Sequence, residues 1–235
     1  MSADPNLAKL NAAQAALEFV KDGMIVGLGT GSTSAHFVRL LGERVRQGLR
    51  VKGVPTSEAT RNLAEQVGIP LLEISQIAHL DVDVDGADEI DPAFRLIKGG
   101  GGALLREKIV AAASSEMVVI ADDTKWVETL GAFPLPVEVT RFGFGLTASR
   151  VRDALRETAC AGHEVILRVS GKANEPVITD GGNYILDAHA KRIPDAEALA
   201  RALKDIPGVI EHGLFLGMSR VVILGKAIGA DVRRL

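Results

Sequence analysis

The 235-residue chain has room for one large domain or two small ones, and with 47% hydrophobic residues it can bury a substantial core. A net charge of −3 without a long basic run excludes nucleic acid as an electrostatic partner, and no uncharged apolar run is long enough to span a membrane. A lone cysteine, Cys160, excludes an internal disulfide. It also suits a cytoplasmic protein, as does a start, MSADPNLAKLNAAQ, without the layout of a signal peptide.

Residues 6–22 carry Leu7, Leu10, Ala13, Leu17 and Val20 at helical spacing, and Gly23 ends them. MIVGLG (24–29) reads as a buried strand and TSAHFVRLLGERVRQ (33–47) as a helix. Between them GLGTGST (27–33) sits where backbone N–H groups and the helix dipole favour a phosphate. Ser32 replaces the third glycine of a dinucleotide fingerprint, and no lysine follows Gly31 as in a Walker loop. The hydroxyls of Thr30, Ser32 and Thr33 suit a small phosphate monoester. A capped tight turn is the competing reading.

Next come an expected strand at 50–54, a helix at 57–67 capped by Thr56 or Ser57, and a strand at 69–73. DVDVDGADEID (81–91) then gathers six carboxylates. It copies the first half of a calcium loop but has Pro92 where the twelfth-position ligand belongs, so that reading fails. Leu80, Val82 and Val84 alternate with Asp81, Asp83 and Asp85, which predicts a strand over 80–85 ended by Gly86. The acidic face is either an exposed edge or a ligand site at a strand end.

LIKGGGGALLREK (96–108) places Lys98 before four consecutive glycines. Such a run is costly to order, so it implies backbone approaching a ligand. In the helix expected over 102–115, Glu107 shares a face with Ala103, Val110, Ala111 and Ser114. A carboxylate in such surroundings loses solvation and gains basicity. Alternatively it is a solvated helix residue paired with Arg106 or Lys108. A strand over 117–121 leads to Lys125, which reaches a ligand at the sheet edge or is plain surface, and the same two readings apply to Lys9. The histidines, His36, His79, His163, His189 and His212, lack metal-ligand spacing.

Strand and helix alternate at βαβ spacing, so the expected fold is α/β with a mostly parallel, doubly wound sheet. From about 132 the character changes to a βαββα run: FPLPVEVT, a helix over 146–159, EVILRVS, the hairpin VITDGGNYILDAHA and a helix over 194–205. This predicts a smaller α+β domain. Strands at 208–212 and 220–224 either complete it or rejoin the first sheet.

GLGTGSTSAHF, DGADEID, IKGGGGALLREKIVA, IADDTKWV, FPLPVEV and TDGGNYILD occur here in the order, and near the intervals, of ribose-5-phosphate isomerases of the A type. The resemblance covers nearly the whole chain. It implies interconversion of ribose 5-phosphate and ribulose 5-phosphate through an enediol, with no metal or organic cofactor. It further implies a Rossmann-like domain (1–131 and 207–235) with a small ferredoxin-like domain (132–206) inserted, in a homodimer or homotetramer. The family's base falls on Glu107, its acidic pair on Asp85 and Asp88 with Gly86 and Ala87 between them, and its lysine on Lys98. The substrate site further takes in Gly99, Gly100 and Gly101, the phosphate loop Thr30, Gly31, Ser32 and Thr33, and the lysines Lys125 and Lys9. Two rivals remain. One is another sugar-phosphate isomerase or deaminase with different sugar-end residues. The other is a non-catalytic phosphosugar sensor, which has no use for Glu107 or Asp85.

Overall fold

The computed structural model describes residues 5–171 and 174–235. The first part of the chain runs through α1 (Pro5–Ala16), β1 (Ile25–Leu28), α2 (Ser32–Arg46), β2 (Lys52–Pro55), α3 (Glu58–Gln66), β3 (Val82–Gly86), β4 (Glu89–Ile90), β5 (Leu96–Ile97), α4 (Leu104–Ala112) and β6 (Met117–Asp122). It continues through β7 (Leu135–Val139), α5 (Phe144–Glu157), β8 (Glu164–Leu167), β9 (Val169–Ser170), β10 (Glu175–Pro176) and β11 (Tyr184–His189). The last elements are α6 (Ala196–Lys204), β12 (Val209–His212), β13 (Leu214–Phe215), β14 (Ser219–Gly225) and β15 (Ala230–Arg234). Among the described residues no helix is long and apolar enough to cross a membrane.

The chain forms two compact units. The first takes the chain up to Ala87, Arg106–Trp126 and Gly217–Leu235. Its six-stranded sheet has the order β15-β14-β6-β3-β1-β2, parallel throughout except for β15. Alternate residues of the central strands (Val26, Leu28, Val82, Val84, Val118 and Ile120) pack against Phe37 and Leu41 of α2 and the alanines of α1. Burying each such aliphatic side chain stabilises by about 1.5–3 kcal/mol. On the other face α4 packs through Val110 into a cluster with Val54, Leu80 and Ile25.

The second unit comprises Asp88–Leu105 and Val127–Leu216. Segments 88–105, 127–131 and 207–216, expected with the larger domain, lie here. Its antiparallel sheet has the order β12-β7-β11-β8. Leu135, Val137, Val139, Leu186 and Ala188 turn to α5 and α6, whose Val151, Leu155, Leu199 and Leu203 complete the core around buried Cys160. The opposite face of this sheet carries Pro136, Glu138, Ile185 and Asp187, by the two-residue period of a strand. Three short strands, β13-β5-β4, form a separate antiparallel sheet that holds the start of the glycine run.

Several elements differ from the sequence expectation. The first helix stops at Ala16, and Leu17–Phe19 tighten into a 3₁₀ turn. No strand forms over 69–73. Leu71 makes a single parallel bridge to Gly53, and Pro70 contributes only its carbonyl, to the Gly53 N–H at 2.8 Å. The helix expected at 146 begins at Phe144, because Gly143 adopts a left-handed conformation (φ 69°) and starts it. The two late strands separate: β12 pairs antiparallel with β7, and β14 pairs parallel with β6.

Candidate active site

Within the first unit, β1 has β2 on one side and β3 on the other, so the chain reverses its direction of travel across the sheet at β1/β3. Open α/β sheets bind ligands at the carboxyl ends of the strands flanking such a point. Here those ends carry Thr30–Thr33 after β1 and Asp85–Gly86 as the last residues of β3. The turn after β1 opens α2, with Gly31 as its first cap at φ 114°. Gly31 and Ser32 are exposed, and Thr33 is buried. The N–H groups of the first helical turn, which have no partner within a helix, face outward there. The Thr30 hydroxyl, by contrast, turns into the fold, 2.7 Å from Thr56 Oγ1 and donating to Ser57 Oγ at 2.9 Å. Ser57 in turn caps α3 by accepting the Thr60 N–H at 3.1 Å. The two strand-to-helix turns are thereby stitched together.

The acidic strand is not an exposed edge. It lies between β1 and β6, and Asp83 and Asp85 are both 0% exposed. Room for their carboxylates comes from the neighbouring strand. Gly27 pairs with Asp83, and a Cβ at Gly27 would lie 2.5 Å from Asp83 Oδ1 and 2.6 Å from Val110 Cγ1. One pleat on, a Cβ at Gly29 would lie 2.6 Å from the Cα of Asp85. The acidic face is thus covered by α4, and Gly27 and Gly29 leave the space its carboxylates fill. Asp85 Oδ1 accepts the N–H of Gly86 (2.7 Å), the N–H of Thr30 (3.1 Å) and the Ser34 hydroxyl (3.3 Å). Three donors fix one oxygen at the strand end. Asp81 has a different task, accepting the Ile25 N–H at 2.7 Å where β1 begins.

Glu107 lies in the first turn of α4 and is 3% exposed. It precedes Val110 by three residues, so it shares the face that covers the sheet. Glu107 is therefore buried rather than solvated, and Arg106 pairs with Glu58 at 2.8 Å. Lys125 ends the 3₁₀ turn that follows β6, at the same end of the sheet as Asp85 and the turn after β1. Lys9, on α1, is close enough to α2 to act on His36. That imidazole is held below its ordinary pKa, first by burial and then by the cations of Arg39 and Lys9.

In the second unit Lys98 is 2% exposed, its Nζ 5.3 Å from the centroid of the Phe215 ring, and its N–H donates to Gly213 O at 2.9 Å. Burying an ammonium group is costly unless it is compensated. Asp88 accepts the Gly100 N–H at 2.7 Å, and its own N–H donates to Ile97 O at 2.8 Å. A Cβ at Gly100 would sit 2.6 Å from Asp88 Oδ1. Gly99 and Gly102 have φ of 102° and 83°, which glycine alone adopts without strain.

Residues 52–229 match the family model of ribose 5-phosphate isomerase A (phosphoriboisomerase A). A ribose-5-phosphate isomerase A of Afipia carboxidovorans is 60% identical over 95% of this chain and 94% of its own length. That of Maricaulis maris is 54% identical over 97% of each. The chain belongs to the ribose-5-phosphate isomerase A family. A solved D-ribose-5-phosphate isomerase in complex with phospho-erythronic acid superposes with a TM-score of 0.91 at 38% identity, covering 99% of this chain and 100% of that one. The α/β fold with its mostly parallel sheet is accordingly that of ribose-5-phosphate isomerase A.

Within this member of the ribose-5-phosphate isomerase A family, several residues that the sequence did not tie to the site support the two strand ends. Gly27 and Gly29 were attributed to the phosphate turn, yet they make room for Asp83 and Asp85. Ser34 lies one residue beyond the hydroxyls considered. Thr56, Ser57 and Thr60 belong to another turn altogether. The alternation of Gly27 and Gly29 opposite an acidic strand is a signal only once the β1/β3 register is known.

Proposed function

We infer that this protein interconverts ribose 5-phosphate and ribulose 5-phosphate as an aldose–ketose isomerase. The observation that carries the reading is the direct link at the β1/β3 switch point. The first N–H of the phosphate turn, on Thr30, donates to Asp85, the acidic residue at the end of β3. One end of a sugar phosphate is addressed by the turn and the other by the carboxylate. A related structure in complex with phospho-erythronic acid supports this reading, since that molecule joins a phosphate to a carboxylate shaped like an enediolate. The decisive assay is formation of ribulose 5-phosphate from ribose 5-phosphate by the purified chain; no turnover would overturn the reading.

Isomerisation moves one proton from C2 of the aldose to C1 of the ketose. Glu107 takes the C2 proton, and O1 gains a proton as the C1=O bond becomes part of the enediol. Loss of the O2 proton and return of a proton from Glu107 to C1 complete the ketose. Asp85 handles protons at the sugar oxygens, and Asp88 orients the hydroxyls. Lys98 and the N–H groups of the Gly99–Gly101 segment meet the negative charge that develops on oxygen. The Thr30–Thr33 turn, Lys125 and Lys9 bind the phosphate. The same reading makes the working protein a cytoplasmic homodimer or homotetramer, and light scattering that finds only monomer would contradict the latter.

A proton held on a carboxylate exchanges with water before it returns. Reaction in heavy water therefore places deuterium at C1 of the ketose or C2 of the aldose, and activity survives exhaustive chelation. Product free of deuterium, with activity that returns only on adding metal, would point to a hydride shift instead.

Phosphate contacts exist in both the ground state and the transition state, so their loss raises KM and spares kcat. Ser32→Ala and Lys125→Ala should behave this way in steady-state kinetics. A large fall in kcat at unchanged KM would place these side chains at the chemistry.

A further inference from the structure

The glycine run crosses the face of the small sheet that α5 and α6 leave uncovered. There Gly99 approaches Pro136, and Gly102 approaches Ile185. On that face stands Arg168, between β8 and β9. Its Nη1 donates to the carbonyls of Gly99 (2.8 Å) and Gly100 (3.1 Å). Asp187 of β11 grips the same guanidinium in bidentate fashion, Nε to Oδ2 at 2.9 Å and Nη2 to Oδ1 at 2.5 Å. The Arg168 backbone is tied on both sides, its N–H donating to Ile185 O at 2.8 Å and its carbonyl accepting the Val177 N–H at 2.9 Å. The side chains of Arg168 and Asp187 are 15% and 21% exposed, so the pair is largely screened from water.

The consequence follows from peptide geometry. The described peptide bonds are trans, and in a trans unit the C=O and the following N–H point in opposite directions. Drawing the Gly99 carbonyl to Arg168 turns the Gly100 N–H the other way, where it meets Asp88 Oδ2 at 2.7 Å. Drawing the Gly100 carbonyl to the same nitrogen turns the Gly101 N–H toward that side too.

We propose that Arg168, held by Asp187, is a positioning residue of the isomerase. It orients the Gly100 and Gly101 amides and, through them, the Asp88 carboxylate toward the reacting sugar. This rests on the reading that Asp88 and the glycine run contact the sugar end of ribose 5-phosphate. The competing account is a salt bridge that merely stabilises the small sheet. A planar fork that serves two carbonyls and a carboxylate at once is beyond a lysine, whose ammonium is a single point charge.

The test uses the full-length Arg168→Lys, Arg168→Ala and Asp187→Asn variants. Misplaced donors cost transition-state stabilisation, so kcat for ribose 5-phosphate falls by about 10- to 10²-fold. KM moves by less than about threefold, because such donors act on charge that develops after binding. Asp187→Asn gives a smaller loss of the same kind. Guanidinium ion at millimolar concentration restores part of the kcat of Arg168→Ala, and ammonium ion does not. Amide hydrogen exchange at 99–102 quickens in Arg168→Lys, a readout independent of turnover. If Arg168→Ala does not fold, Arg168→Lys decides. Wild-type kcat in a folded Arg168→Lys protein overturns the proposal, and so does unchanged exchange at 99–102. A loss of activity that only follows the loss of folded protein, without rescue, overturns it as well. Faster exchange in a chain whose wild type does not turn over ribose 5-phosphate would sink the functional reading and leave the clamp standing.

Discussion

Glu107→Gln lowers kcat by at least about 10²-fold while calorimetry still shows ribose 5-phosphate binding. The amide keeps the shape and hydrogen-bonding reach of the carboxylate but cannot accept the C2 proton, and general-base catalysis contributes roughly 10²–10⁴-fold. Burial is what gives the position its chemistry. Glu107 is 3% exposed on the face of α4 that covers the sheet. Binding survives because the proposed phosphate contacts lie on other elements: the turn after β1, the 3₁₀ turn after β6, and α1. The proton-transfer origin of the loss is checked in heavy water, where incorporation of solvent deuterium into unlabelled substrate should fall with turnover. Near-normal kcat in this variant would remove Glu107 from the role of base.

Gly29→Ala reduces kcat/KM by at least about 10²-fold and lowers Tm by roughly 5–10 °C. Its backbone is not left-handed, so the penalty is steric. The new Cβ would lie 2.6 Å from Asp85 Cα. That atom belongs to the backbone of β3, so no rotamer change relieves the clash, and β1 and β3 must part. Overpacking of this kind costs about 1–3 kcal/mol, and for a chain of this size each kcal/mol shifts Tm by about 2–4 °C. The movement also displaces Asp85 and its bond to Thr30, which is why activity falls further than stability. Gly31→Ala provides the contrast. No atom lies within 4 Å of its Cβ, but φ is 114°, so it meets backbone strain and no clash. A Gly29→Ala protein with wild-type Tm and kcat/KM would show that the two strands have slack the packing does not reveal.

The extent of the site legible in sequence differs from residue to residue. Asp85, Asp88, Lys98 and the four glycines are contiguous or nearly so, and their chemistry is local. Four glycines before a helix imply a close backbone approach wherever the rest of the chain lies, whereas the carboxylates at the strand end read equally as an exposed edge. Glu107 was half legible: helical periodicity placed it among Val110 and Ala111, but whether that face met solvent or sheet was not a local property. Arg168 and Asp187 were illegible. Each is one charged residue in an alternating stretch, nineteen positions apart, and nothing around them refers to Gly99 and Gly100, which Arg168 holds from 69 and 68 positions downstream.

Length, apolar periodicity and glycine placement were by themselves enough to determine an α/β chain with a smaller α+β segment, the helix expected over 33–47, and the order of the motifs. These follow from short-range physics, namely the strand and helix periods, the cost of ordering glycine and the capping of helix ends. Where the strands go was decided only by tertiary structure. Pro70 could not extend the sheet beyond β2, β12 left for the small sheet while β14 returned to the large one, and β3 settled between β1 and β6 with its acidic face inward. The acidic strand shows the reason. Its alternation is equally consistent with an exposed edge and with a buried centre, and the choice turned on Gly27 and Gly29. These glycines sit more than fifty residues away in sequence, and their missing side chains are the space that Asp83 and Asp85 occupy.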